Sequence, residues 1–147
     1  KTRWLQKHFE NAHFVGIMRN GYAVAEGITR KADPRHLINS WPIEKSAYQW
    51  KRSNEVLRED AEHLNKFMWV TYEDLAADTI GTLNKITDFI GVEAFKQFED
   101  NRSWSIHERE EKVRDMNSEN ISRLTPEQVQ RINAVAGDML EEFGYLI

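Results

Sequence analysis

"FVGIMRNGYAVAEG", residues 14–27, decides the fold. Phe14 to Met18 is an apolar run of strand length, and the spacing of Tyr22, Val24, Ala25 and Ile28 predicts a one-sided helix over residues 21–29. Arg19, Asn20 and Gly21 stand between them, so a permanent cation ends a strand that is expected to be buried. A guanidinium in that place requires an anion, which belongs either to the protein or to a ligand.

Working outward, residues 2–10 predict a short amphipathic helix with Trp4, Leu5 and Phe9 among its cations. Residues 30–41 read as a polar, basic and aromatic loop that could touch a substrate. Pro42 then opens a long helix over residues 42–64, with Ile43, Ala47, Trp50, Leu57, Ala61 and Leu64 as one stripe. "KFMWVTY" supplies a second buried strand, Phe67 to Thr71, in which Trp69, like Trp50 in its helix, is expected to be a core aromatic. Asp78 is placed to cap a helix carrying Ile80, Leu83, Ile86, Phe89 and Ile90, and Gly91 to end it. The last helix has a capping box at residues 125–128 with Pro126 at its first position, and Gly144 just past its end. Residues 99–123 show little periodicity and read as a solvated connection or as a lid.

Strands that alternate with helices pair in parallel, and both faces of such a sheet are covered, so their apolar runs need not alternate. The expected class is α/β, part of a parallel β-sheet flanked by helices. Two strands make a poor sheet, which leads us to expect further strands upstream. Without them, or another chain to cover the sheet, Phe14, Ile17 and Val70 are expected to be exposed.

The chain has 147 residues, enough for one domain, and a net charge of −4 spread along its length. That balance argues against nucleic acid as a partner. The absence of cysteine rules out disulfides and thiolate metal sites and suits a cytoplasmic protein. No apolar run is long enough to cross a membrane. "HEREE", from His107, lacks the second histidine of a zinc-binding HExxH, and the five histidines are scattered, so no metal is expected. The first residues already read as the interior of a helix. Residues 1–147 are therefore expected to be the C-terminal portion of a single larger domain.

Ligands of open α/β sheets bind beyond the carboxyl ends of the strands. Arg19 follows the first strand and Tyr72 the second, and the free N–H groups of the helix from Gly21 would face the same rim. A phosphate and an adenine would satisfy a guanidinium and a phenol so placed. The competing reading pairs Arg19 with Glu73 or Asp74 and puts Tyr72 in the core.

Three segments resemble the sulfotransferase superfamily. "FVGIMRNGYAVAEG" is similar to its 3′-phosphate-binding segment, "WVTYEDLAADTIGTLNKITDFIGV" to its later strand-helix segment, and "RLTPEQVQRINAVAGDMLEEFGY" to the C-terminal helix of bacterial members. The resemblance implies a P-loop-like fold and transfer of a sulfuryl group from 3′-phosphoadenosine 5′-phosphosulfate (PAPS) to a hydroxyl or amine of a small molecule or glycan, leaving the 3′,5′-bisphosphate (PAP). Arg19 matches the arginine on the 3′-phosphate and Tyr72 the tyrosine near the adenine. Eight residues after Arg19 the family commonly has a serine; Gly27 stands there, with only a backbone N–H to offer. Trp104, Ser105, Arg109 and Arg123 fall where relatives approach the nucleotide, and of these Ser105 and Arg123 are the cofactor-binding candidates. The loop for the 5′-phosphosulfate and the general base are expected upstream of Lys1, and His8 and His13 are not expected to be catalytic. By this reading the chain alone is not catalytically competent; its partners would be the acceptor and an upstream segment or a second copy. The alternative is a non-catalytic relative that docks through the helix over residues 42–64.

Overall fold

The computed structural model describes residues 1–31, 41–94, 104–106, 109–111 and 113–147, with only the backbone of 104–106 and 109–111. Two compact units divide the chain: residues 1–18 with 60–115, and residues 19–59 with 116–147.

The first unit holds the parallel sheet. β1 (Phe14–Met18) pairs with β2 (Phe67–Thr71) from Phe14 opposite Phe67 to Met18 opposite Thr71. Both strands therefore end at the same level, as the α/β reading requires. The burial expectation needs correction, because β1 alternates: Gly16 and Met18 are buried, while Val15 and Ile17 are exposed. Ile17 is 54% exposed, as expected of an uncovered face, but Val70 beside it is buried. Gly16 is required by close approach, since a Cβ there would lie 2.8 Å from the Phe67 ring and 2.9 Å from that of Trp69. Trp69 is half-buried.

α1 (Thr2–His8) is held by its polar side. Thr2 and Arg3 bond to Asp60, and Gln6 both donates to the His63 carbonyl and accepts from the Asn65 amide. Trp4 and Phe9 remain largely exposed. β2 runs straight into α4 (Tyr72–Ala77), a helix the sequence reading missed, capped by Thr71 Oγ1 accepting from Asp74 N at 3.0 Å. α5 (Thr79–Ile90) begins and ends as expected, with Asp78 Oδ1 accepting from Gly81 N and Gly91 in the left-handed region at φ 74°. Its apolar residues are only half-covered, and its fully buried side chains are Thr82 and Thr87. Within the polar stretch, β3 (Trp104–Ile106) and β4 (Arg109–Glu111) form an antiparallel pair.

The second unit is helical: α2 (Gly21–Lys31), α3 (Ile43–Ala61, whose last two residues fall to the first unit), α6 (Asn117–Ile121) and α7 (Pro126–Glu142). Tyr22, Ala25, Ile43, Ala47, Trp50, Ile132, Ala136 and Leu140 form its core. α3 stops short of Leu64, and its buried face includes Ser46 and Asn54 where continuous apolar burial was expected. Each polar group has a partner: Ser46 shares a 2.8 Å hydrogen bond with Thr29, and Asn54 donates to the Trp50 carbonyl. Ion pairs between Glu44 and Arg131, Lys51 and Asp138, and Arg58 and Glu142 join α3 to α7, and their order shows that the two helices run in the same direction. The capping box of α7 is formed by Thr125 and Gln128.

Candidate functional site

Arg19 is the first residue after β1, and its backbone is pinned, since the Trp50 indole N–H donates to the Arg19 carbonyl at 2.9 Å. Its side chain is oriented as well. Arg19 Nε donates to Asn117 Oδ1 at 2.8 Å, and Asn117 is itself buried. This partner is a neutral amide, which fixes direction without neutralising charge. The bond from Nε sets the direction of the planar guanidinium.

The helix that follows is not open to an anion in the way the sequence suggested. Asn20 Oδ1 accepts from the amides of both Tyr22, at 3.0 Å, and Ala23, at 3.2 Å, so two of the first N–H groups of α2 are satisfied by the chain itself. An asparagine directly before a helix is a common N-cap, and the Asn-Gly pair carried that signal.

Gly27 lies inside α2, where its N–H belongs to the helical ladder, whose acceptor four residues back is the Ala23 carbonyl. What it offers is space. A Cβ at Gly27 would meet only Asn120 Nδ2, at 3.9 Å. Asn120 is buried, donates from Nδ2 to the Ala23 carbonyl at 3.3 Å, and accepts at Oδ1 from Arg123 Nη1 at 3.0 Å. The one-turn helix α6 thus sets Asn117 against Arg19 and Asn120 against Ala23 and Gly27. Neither asparagine was singled out from the sequence, because buried amides leave no apolar period to detect.

Arg123 is drawn into a carboxylate cluster. It pairs with Glu119 and lies 3.8 Å from Glu26 Oε2, while Arg30 Nε donates to Glu26 Oε1 at 2.7 Å. Glu26 is buried, and with both arginines it borders a cavity of about 270 Å³ that also touches Ile43, Leu124 and Gln128.

Tyr72, in the first unit, is the first residue of α4 and is half-buried rather than core. Its hydroxyl donates to the Arg114 carbonyl at 2.7 Å. Ser105 lies in β3 opposite Glu110, and its side chain, like those of Trp104 and Arg109, lies outside the described residues. So do His107 and most of the loop over residues 30–41. Among the described residues no cluster of three or more His, Asp and Glu side chains is placed to hold a metal, and no helix is long and apolar enough to cross a membrane.

The sequence pattern of the Sulfotransferase family matches residues 1–97. That span contains Arg19, Gly27 and Tyr72 and ends before Ser105 and Arg123. No curated protein sequence matches the chain.

Proposed function

Because the chain belongs to the sulfotransferase family, we propose that it binds the nucleotide of PAPS and takes part in transferring its sulfuryl group to a hydroxyl or amine of a small molecule or glycan. In this reading Arg19 holds the 3′-phosphate and the Tyr72 ring lies against the adenine. Ser105 and Arg123 are further nucleotide contacts, and Gly27 borders the 3′-phosphate.

The observation that carries the reading is the double constraint on Arg19. Its carbonyl is bonded by Trp50 and its Nε by Asn117, so the direction of its terminal nitrogens is set before any ligand arrives. A pre-oriented guanidinium loses less side-chain entropy on binding an anion than a mobile one. The non-catalytic alternative gains less support, since the apolar residues Ile43, Ala47 and Trp50 of α3 are already buried within their own unit.

Calorimetric titration of the intact protein with PAP, and with adenosine 5′-monophosphate as control, tests the proposal. Clear preference for PAP is expected. Equal affinity for the two, or binding of neither by folded protein, would overturn it.

A further inference from the structure

We infer that Asn120 supplies the second donor to the 3′-phosphate, in the role that a serine hydroxyl at position 27 would otherwise fill. This rests on the phosphate-binding reading of Arg19 and adds to it a residue from α6.

Asn117 and Asn120 are three apart on one helical turn, so their side chains lie on one face, with Cβ atoms roughly 5–6 Å apart. The first takes Arg19 Nε and the second reaches the Ala23 carbonyl beside Gly27. Arg19 and Asn120 are thus tied through one turn of α6, and Asn120 borders α2 at Ala23 and Gly27. The space a serine side chain would occupy at Gly27 is open, and Asn120 Nδ2 is the group at its edge.

The orientation of the amide is fixed by chemistry. Arg123 can only donate, so the Asn120 atom that receives its Nη1 must be the carbonyl oxygen, and the NH2 group must face Ala23 and Gly27. An NH2 group carries two donors. One goes to the Ala23 carbonyl, over a long 3.3 Å, and the other can be given to an anion above Gly27. The Arg123 contact thereby acquires a role: it prevents the amide from turning its oxygen toward a phosphate.

The test measures affinity of the intact protein for PAP and for adenosine 5′-monophosphate in wild type, Asn120→Ala, Asn120→Asp, Gly27→Ser and the Gly27→Ser/Asn120→Ala double variant. Asn120→Ala is expected to weaken PAP by about tenfold to a hundredfold, the range of a lost hydrogen bond to a charged group, and to leave the monophosphate unchanged. Gly27→Ser should restore most of that loss in the double variant, since a Cβ there meets ordinary contact only and the hydroxyl can donate in place of the lost amide. Asn120→Asp keeps the acceptor for Arg123 and the shape of the side chain but replaces the donor with an anion. It should fold and lose more PAP affinity than Asn120→Ala, which keeps the test decisive if the alanine variant is unstable. Parallel loss of both nucleotides, no loss of PAP in either Asn120 variant, or failure of the serine to rescue would overturn the inference. If PAP binding responds to Arg19 substitution while both Asn120 variants bind as wild type, only this inference falls. If folded wild type does not bind PAP, the phosphate-site reading falls, and this inference with it.

Discussion

Arg19 Nε donates to Asn117 Oδ1 at 2.8 Å across 98 residues of sequence. The bond joins the first residue after β1 to a short helix with no apolar signature. It also gives Asn117 a measurable role. Asn117→Ala leaves the fork without its guide, so PAP affinity should fall by about 1.5–3 kcal/mol, the scale of a hydrogen bond to a charged group, with monophosphate affinity unchanged. Calorimetry with both nucleotides checks this; equal losses for the two would make Asn117 a packing residue only.

Tyr72 separates ring from hydroxyl. Tyr72→Phe removes the bond to the Arg114 carbonyl and should lower unfolding stability by about 0.5–1.5 kcal/mol with little effect on PAP. Tyr72→Ala should in addition weaken PAP by about 1–3 kcal/mol, the scale of a lost stacking contact. Denaturant titration and calorimetry on both variants read the two effects apart, and a nucleotide loss as large in Phe as in Ala would assign recognition to the hydroxyl.

Gly16 is held by two rings. Its Cβ would sit 2.8 Å from Phe67 and 2.9 Å from Trp69, both rings on the paired strand, so Gly16→Ala should destabilise by about 1–3 kcal/mol through overpacking. Gly137→Ala, where a Cβ meets nothing within 4 Å, is the control and should be neutral or stabilising. The comparison is made by urea melts.

Acid should loosen the join between α3 and α7. The Glu44 carboxyl is held below its ordinary value by a backbone hydrogen bond and by Arg131, and that of Asp138 by its bond from Lys51. Groups depressed in the folded state contribute stability that is present above the unfolded value, about 4, and is lost as pH falls through the folded one. Melting temperature should therefore decline below about pH 4, and Asp138→Asn should flatten part of that decline. Both pairs face solvent, so the effect should be modest and should shrink in salt. A decline unaltered by Asp138→Asn would remove this pair from the account.

The elements whose ends carry side-chain chemistry were legible in the sequence. Asp78 and Gly91 delimit α5, and Thr125, Pro126 and Gln128 open α7, because caps are local and use few residue types. The two strands were also legible, and their parallel pairing followed from the helices between them. Burial was less so: Val15 and Ile17 are as apolar as Met18, and only tertiary packing makes them exposed. α4 has only a weak signal in the sequence, Thr71 followed three residues later by Asp74, and six residues are too few for an apolar period to show. In the site, Arg19 stood out as a charge in an apolar context. Its partners did not, since Asn117 and Asn120 are distant in sequence and buried amides look like loop residues until the fold brings them to α2.

The central claim is that the Arg19 guanidinium serves a ligand phosphate. Arg19→Gln keeps an amide donor near the position of Nε for Asn117 and removes the charged fork. Calorimetry with two proteins, wild type and Arg19→Gln, and two ligands, PAP and adenosine 5′-monophosphate, is the direct measurement. The account predicts a loss of about 2–5 kcal/mol for PAP, as when a buried charge pair loses one partner, and nearly equal monophosphate affinities for the two proteins. Equal weakening of both nucleotides, or unchanged PAP affinity in the variant, would contradict it and make Arg19 a structural cation.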